Sequence, residues 1–112
     1  MKIAVPVANQ TLCAHFGHCE TFAMFDVDEE KKTIERTENH RPPPHEPGVL
    51  PKWIGEQGVG LVLAGGLGAK ARELLNGYGV KVVVGVSETN PEQAVMDYLQ
   101  GNLETGSNTC DH

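Results

Sequence analysis

The stretch LVLAGGLGAKARELLNGY, from Leu61 to Tyr78, decides how this chain is built. Leu61 to Ala64 is a short apolar run bounded by glycines, the pattern of a parallel strand covered on both faces. It opens directly into Gly65, Gly66 and Gly68, after which Leu67, Ala71, Leu74, Leu75 and Tyr78 recur at helical spacing. Gly77 and Gly79 end that helix. Lys81 to Val86, with Val82, Val83 and Val84 in a row, then supplies a second buried strand. Strand, glycine turn, helix and strand in immediate succession predict an α/β fold.

The flanking segments extend this unit in both directions. Downstream, Asn90 is placed to cap a helix with Pro91 in its first position and Gln93 where a capping-box partner belongs. Ala94, Val95, Tyr98 and Leu99 form its inward face, and Gly101 stops it. Upstream, Leu50, Trp53, Ile54 and Gln57 suit a short helix that tolerates Pro51 in its first turn. Before it, His40 to Gly48 holds four prolines and reads as a loop, bracketed by His40 and His45. Thr21 to Val27 and Thr33 to Asn39 read as a hairpin across a charged turn, the second member being a polar sheet edge. Lys2 to Val7 is a first strand with Ile3, Val5 and Val7 on one face, ending at Ala8 and Asn9.

Together these elements predict a three-layer α/β/α arrangement with a mixed, mostly parallel five-stranded sheet. One domain spans residues 1–103, and residues 104–112 form a flexible polar tail. If the 61–64 strand lies beside the 2–7 strand, the chain order reverses between them. Ligands of open α/β sheets bind outside the carboxyl ends of strands at such a point.

Composition narrows the function. The 112 residues carry a formal net charge of -6, and the nine basic residues are scattered, which argues against nucleic acid as a partner. No basic start followed by an apolar run and no apolar stretch of membrane-spanning length is found. With three cysteines, an odd number, the chain reads as cytoplasmic with reduced thiols.

The loops leaving the two central strand ends carry the chemistry. LCAHFGHCETF, from Leu12 to Phe22, places Cys13, His15, His18 and Cys19 around Gly17. Thiolates and imidazoles this close together suit a transition metal or a metal-sulfur species. Gly65 to Gly68 offers backbone N–H groups and a helix N-terminus to an anion. It fits neither a Walker A nor a dinucleotide fingerprint, and glycines needed for a tight turn and close helix packing explain it equally. Cys110, with His112 beside it, is a third thiol near the end of the tail. Asp26, Glu92 and Asp97 do not make a convergent carboxylate set, so a non-catalytic role is expected. A zinc-binding or thiol redox module is the rival reading, although Cys13 and Cys19 lack C-x-x-C spacing.

Four segments in matching order carry a family resemblance: IAVPV at Ile3, HFGHCETF at His15, VLAGGLGAKA at Val62 and YLQGNL at Tyr98. The chain resembles the dinitrogenase iron-molybdenum cofactor biosynthesis family along nearly its whole length. The resemblance implies a ribonuclease H-like motif. It also implies binding or carriage of iron-molybdenum cofactor, its precursors or related metal-sulfur clusters, with cluster donor and acceptor proteins as partners. Within that resemblance His15 is a candidate cluster contact, and Cys19 occupies the nearby position. Small single-domain members also occur in organisms that do not fix nitrogen. The expected cluster-binding set is His15, Cys19, Gly65, Gly66 and Gly68, with Cys13, His15, Cys19 and Cys110 as metal ligands.

Overall fold

Ile3, Ala4 and Val5 are all fully buried. A strand with no exposed face belongs at the centre of a sheet. The computed structural model describes residues 1–13, 19–43 and 48–106, and places β1 (Lys2–Ala8) there. Around it stand β2 (Thr11–Leu12), β3 (Thr21–Asp28), β4 (Thr33–His40), β5 (Leu61–Leu63) and β6 (Lys81–Val83). The helices are α1 (Val49–Glu56), α2 (Ala69–Gly77) and α3 (Pro91–Gln100). The sheet order is β4-β3-β1-β5-β6, with β2 also paired to β1.

The α/β class and the two helical layers are as expected, but two details of the sheet are corrected. It has six strands, not five. It is also mostly antiparallel by pairing, because β1–β2, β1–β3 and β3–β4 are antiparallel and only β1–β5 and β5–β6 are parallel. The cause is β3, which runs against both neighbours, together with a second hairpin formed by β1 and β2. Since β1, β4, β5 and β6 share one direction, their carboxyl ends lie along one edge.

Alternation along the strands builds a core on each side of the sheet. Ile3, Val5, Ala23, Phe25, Leu61 and Leu63 pack with Ala94 and Val95 of α3. Ala4, Phe22, Met24, Val62 and Ala64 pack with Ile54 of α1 and Leu75 of α2. Trp53 anchors this second core edge-on to Phe22, with ring centroids 5.7 Å apart.

At the start of α3, the Asn90 side chain accepts the Gln93 N–H at 3.1 Å. The capping box is only half formed. Gln93 Nε2 donates to Asp97 one turn on, and the Asn90 N–H donates to Glu88 instead. At the other end Gly101 takes the left-handed conformation at φ 76°.

The unexpected β1–β2 hairpin turns on two residues, Asn9 and Gln10, both with positive φ (53° and 66°). That is the type I′ geometry suited to the twist of paired strands. Asn9 tolerates it, and its N–H is held by Glu20 Oε1 at 2.7 Å. Gln10 carries a side chain where glycine is favoured, a strain of about 1–2 kcal/mol. Gln10→Gly is expected to raise the stability by about 0.5–1 kcal/mol after the extra chain entropy of glycine is counted. Urea titration checks this as a higher midpoint with unchanged slope.

Candidate functional site

From β1 the chain builds β3 and β4 on one side and later β5 and β6 on the other, so the β1–β5 boundary is a topological switch point. Its geometry follows from Pro6. Parallel pairing with β5 reaches only Ile3 and Ala4, opposite Leu61 and Val62. Beyond it, on the same side of β1, β2 pairs with Val7 and Ala8. Pro6 lies between the two, where its missing N–H leaves no donor without a partner. Its carbonyl accepts the Cys13 N–H at 2.8 Å. On the opposite side of β1, Val7 accepts the N–H of Glu20, the residue after Cys19, at 2.9 Å. The two cysteines are thereby anchored on either flank of the carboxyl end of β1.

Cys13 is buried and Cys19 half-buried, and both are thiols. Cys19 packs onto the core that holds Ala64 and Leu67 of the glycine turn and, at its margin, Ala71 of α2. The structure therefore brings Cys19 and the glycine turn to one face of one edge. His15, His18, His45, Cys110 and His112 lie outside the described residues. His40 ends β4 on the same edge, in register with Phe22 and 4.0 Å from Glu38. Among the described residues no group of three or more His, Cys, Asp or Glu is placed to hold a metal ion.

In the glycine turn, Gly65 and Gly66 are buried, and the Gly65 carbonyl accepts the Gly85 N–H at 3.0 Å. Gly68 caps α2 in an extended conformation (φ -66°, ψ 152°) with no side-chain cap. A Cβ added at Gly68 would meet nothing within 4 Å. Neither a turn nor packing therefore requires glycine at this position. What its hydrogen leaves is open space in front of the first turn of α2.

Sequence reasoning missed a cleft of about 700 Å³ on the α3 side of the same edge, with Asn9, Gln10, Glu20, Thr37, Asn39 and Asn90 in its lining. The signal for it would have been the turn at Asn9 and Gln10, which two polar residues without glycine did not advertise.

Burial, and secondarily the nearby Cys13, push the Cys19 thiol up from 9.0 to about 12, against a small opposing effect of its own backbone. At neutral pH Cys19 is therefore a protonated thiol. A redox cysteine needs the opposite, a thiolate favoured by its surroundings. A soft metal reverses the balance by replacing the proton on sulfur.

The pH dependence follows from the same shift. The folded state holds this proton more tightly than the unfolded chain, so the contribution to stability is complete below pH 9.0 and is lost as pH rises through about 12. The metal-free protein should lose stability across that window by more than its Cys19→Ser variant does. Denaturant titrations of both proteins at several pH values measure the difference.

Among the described residues no helix is long and apolar enough to cross a membrane. Residues 1–101 match the model of the family described as dinitrogenase iron-molybdenum cofactor. Protein MJ0580 of Methanocaldococcus jannaschii is 30% identical over 109 residues, covering 93% of this chain and 90% of that protein. The crystal structure of PH0822 is similar at a TM-score of 0.86 and 28% identity, over 94% of each chain. The apo form of the orange protein from Desulfovibrio gigas has the same fold, with a TM-score of 0.73 at 23% identity over 96% of this chain and 93% of that one. With the family model matching residues 1–101 of the 112, the chain belongs to the dinitrogenase iron-molybdenum cofactor family.

Proposed function

We propose that the protein is a non-catalytic carrier. It binds an iron-molybdenum or related metal-sulfur cluster at the carboxyl edge of the sheet and passes it from a donor to an acceptor protein. The observation that carries this reading is the pair of thiols anchored on the two flanks of β1 at the switch point, with Cys19 packed on the same core as the glycine turn. Family membership supports it.

In this reading Cys13, His15 and Cys19 contact metal, and Cys110 is a further thiol ligand. Backbone N–H groups of Gly65, Gly66 and Gly68 hold the cluster sulfides. The net charge of -6 repels an anionic cargo, so attraction must be local. The open N-terminus of α2 supplies it, because helix N–H groups and the macrodipole favour negative charge there. Two unbridged thiols suit a reducing compartment, in keeping with a cytoplasmic carrier. The rival thiol redox role is disfavoured by the proton retained on Cys19.

The test is anaerobic loading with iron or copper, sulfide and tetrathiomolybdate, followed by elemental analysis and visible absorption. The protein is expected to take up metal stoichiometrically with sulfide-type bands, which zinc and disulfides lack. His15→Ala combined with Cys19→Ser should weaken uptake at least about tenfold, since each ligand exchanges its proton for metal only in the assembled site. Unchanged uptake in that variant would overturn the assignment. Gly68→Ala tests the glycine turn separately. Its stability should change by no more than about 0.5 kcal/mol, because the backbone is extended and the space is open. Its cargo affinity should fall, and equal affinity would remove the turn from the site.

A further inference from the structure

The cleft of about 700 Å³ on the α3 side of the carboxyl edge lies across the sheet from Cys19 and the glycine turn. That volume is in the range of ligand sites, about 300–1,000 Å³. Its floor is the sheet face formed by Val7, Ala23 and Phe25. Directly opposite Ala23 and Phe25 on β4 stand Asn39 and Thr37, both exposed. Directly opposed residues share a face of a sheet, so these four lie on the α3 side. α3 packs on this face through Ala94 and Val95, and its first turn, Pro91 and Glu92, forms one wall of the cleft. Glu20 and the turn at Asn9 and Gln10 line it at the edge of the sheet.

The charge of the lining selects the occupant. Among the described residues it holds the carboxylates of Glu20 and Glu92 and no Lys, Arg or His. A helix N-terminus ordinarily draws an anion, but that of α3 has little left to donate. Pro91 has no N–H, Asn90 Oδ1 accepts the Gln93 N–H at 3.1 Å, and the Asn90 carbonyl accepts the Ala94 N–H at 2.9 Å. Glu20 is already positioned, with Oε1 accepting the Asn9 N–H at 2.7 Å and its own N–H donating to Val7 O at 2.9 Å. A carboxylate accepts several hydrogen bonds, so Glu20 keeps acceptor capacity for a ligand. An apolar floor beneath two carboxylates suits a side chain with an aliphatic stem and a cationic head. The planar, five-donor guanidinium of arginine matches carboxylate and amide oxygens better than the ammonium of lysine does. Asn9, Glu20, Asn39 and Glu92 are all exposed, so an arginine carried on another chain reaches them without rearrangement of this one.

We propose that this cleft is a docking site for a partner protein, which seats an arginine side chain on the Val7, Ala23 and Phe25 floor against the carboxylates of Glu20 and Glu92. Naming that partner as the donor or acceptor of the cargo rests on the carrier reading, whereas the docking itself does not. The place fits the task. Cys19 packs on the α1 and α2 side of the sheet, and Glu20, the next residue, lines the cleft on the other side. Consecutive Cα atoms are about 3.8 Å apart, so a partner seated there stands beside the thiol without covering the glycine turn. The net charge of -6 that repels an anionic cargo draws a basic partner in.

The experiment titrates the reduced, metal-free, isotopically labelled full chain with the capped peptide acetyl-Ala-Arg-Ala-amide at low salt and reads the amide signals by NMR. Those of Asn9, Glu20, Thr37, Asn39 and Glu92 are expected to move together along one binding curve, and the lysine analogue should bind about threefold more weakly. Glu20→Gln combined with Glu92→Gln should weaken binding at least about fivefold. Glu29→Gln combined with Glu30→Gln, which removes the same charge from the β3–β4 turn, should leave it unchanged. Equal weakening in the two variants, or shifts spread over carboxylates elsewhere, would reduce the peptide to a general counterion and overturn the proposal. Equal shifts from magnesium ion or from acetyl-Ala-Glu-Ala-amide would overturn it too, as would cleft signals that move with protein concentration alone, the mark of a second copy. The same spectra show whether each variant is folded. Should the Glu20 and Glu92 variant not fold, Asn39→Arg places a guanidinium of the chain's own in the cleft, and undiminished peptide binding there overturns the proposal. Because no cargo is present, failed docking leaves cluster loading untouched, and failed loading leaves docking untouched.

Discussion

The carboxyl end of β1 constrains everything around it. A central strand buried on both faces must find a partner for every backbone N–H and C=O it carries. Up to Ala4 the neighbours β3 and β5 do this, but β5 then stops. Pro6 meets half the difficulty by having no N–H to satisfy. The Cys13 N–H meets the other half at 2.8 Å on its carbonyl. The peptide of a candidate ligand is thus part of the bonding that ends the central strand. Loosening the anchor of Cys13 would leave the buried Pro6 carbonyl without its partner, which costs about 1–3 kcal/mol. That coupling holds the thiol on the rigid part of the fold, and a binding site is best held by such elements.

The fold was legible where periodicity and punctuation are strong. β3, β4 and α3 lie within about a residue of their expected bounds, because alternation, the charged turn and the Asn90 and Gly101 signals are all local. β2 was not legible. Two residues cannot show a period, and the Asn9-Gln10 turn adopts positive φ without the glycine that announces it. The strand expected over 81–86 shortens to Lys81–Val83 because Gly85 bends the chain at φ 73°. Gln93 had the right spacing for a reciprocal cap, but Asp97, four residues on, competes for its side chain.

The site was legible as residue types and not as geometry. Soft ligands around Gly17 and glycines after an apolar run can be picked out by eye. That Cys13 and Cys19 sit on opposite flanks of β1 depends on bonds to Pro6 and Val7, which only the sheet register supplies. Sequence also left two accounts of the glycines standing. At Gly68 the negative φ and the empty space in front of it remove the steric account. At Gly85 the reverse holds, since both φ and the approach of Gly106 demand glycine.

In the carrier reading, burial of Cys19 bears on release as much as on binding. A ligand thiol exchanges a proton for metal, so its affinity for metal is set against its affinity for the proton. Packing Cys19 against the α1 and α2 core raises the second to about 12, well above an ordinary thiol. An empty site in that reading is neutral at this sulfur. An acceptor whose thiols ionise more readily gains from the exchange, because the proton returning to Cys19 lowers the free energy of the emptied carrier. A protein built to keep its metal would favour the thiolate with cations beside the sulfur. In the carrier reading, the burial that makes Cys19 a poor nucleophile is what lets the cargo leave.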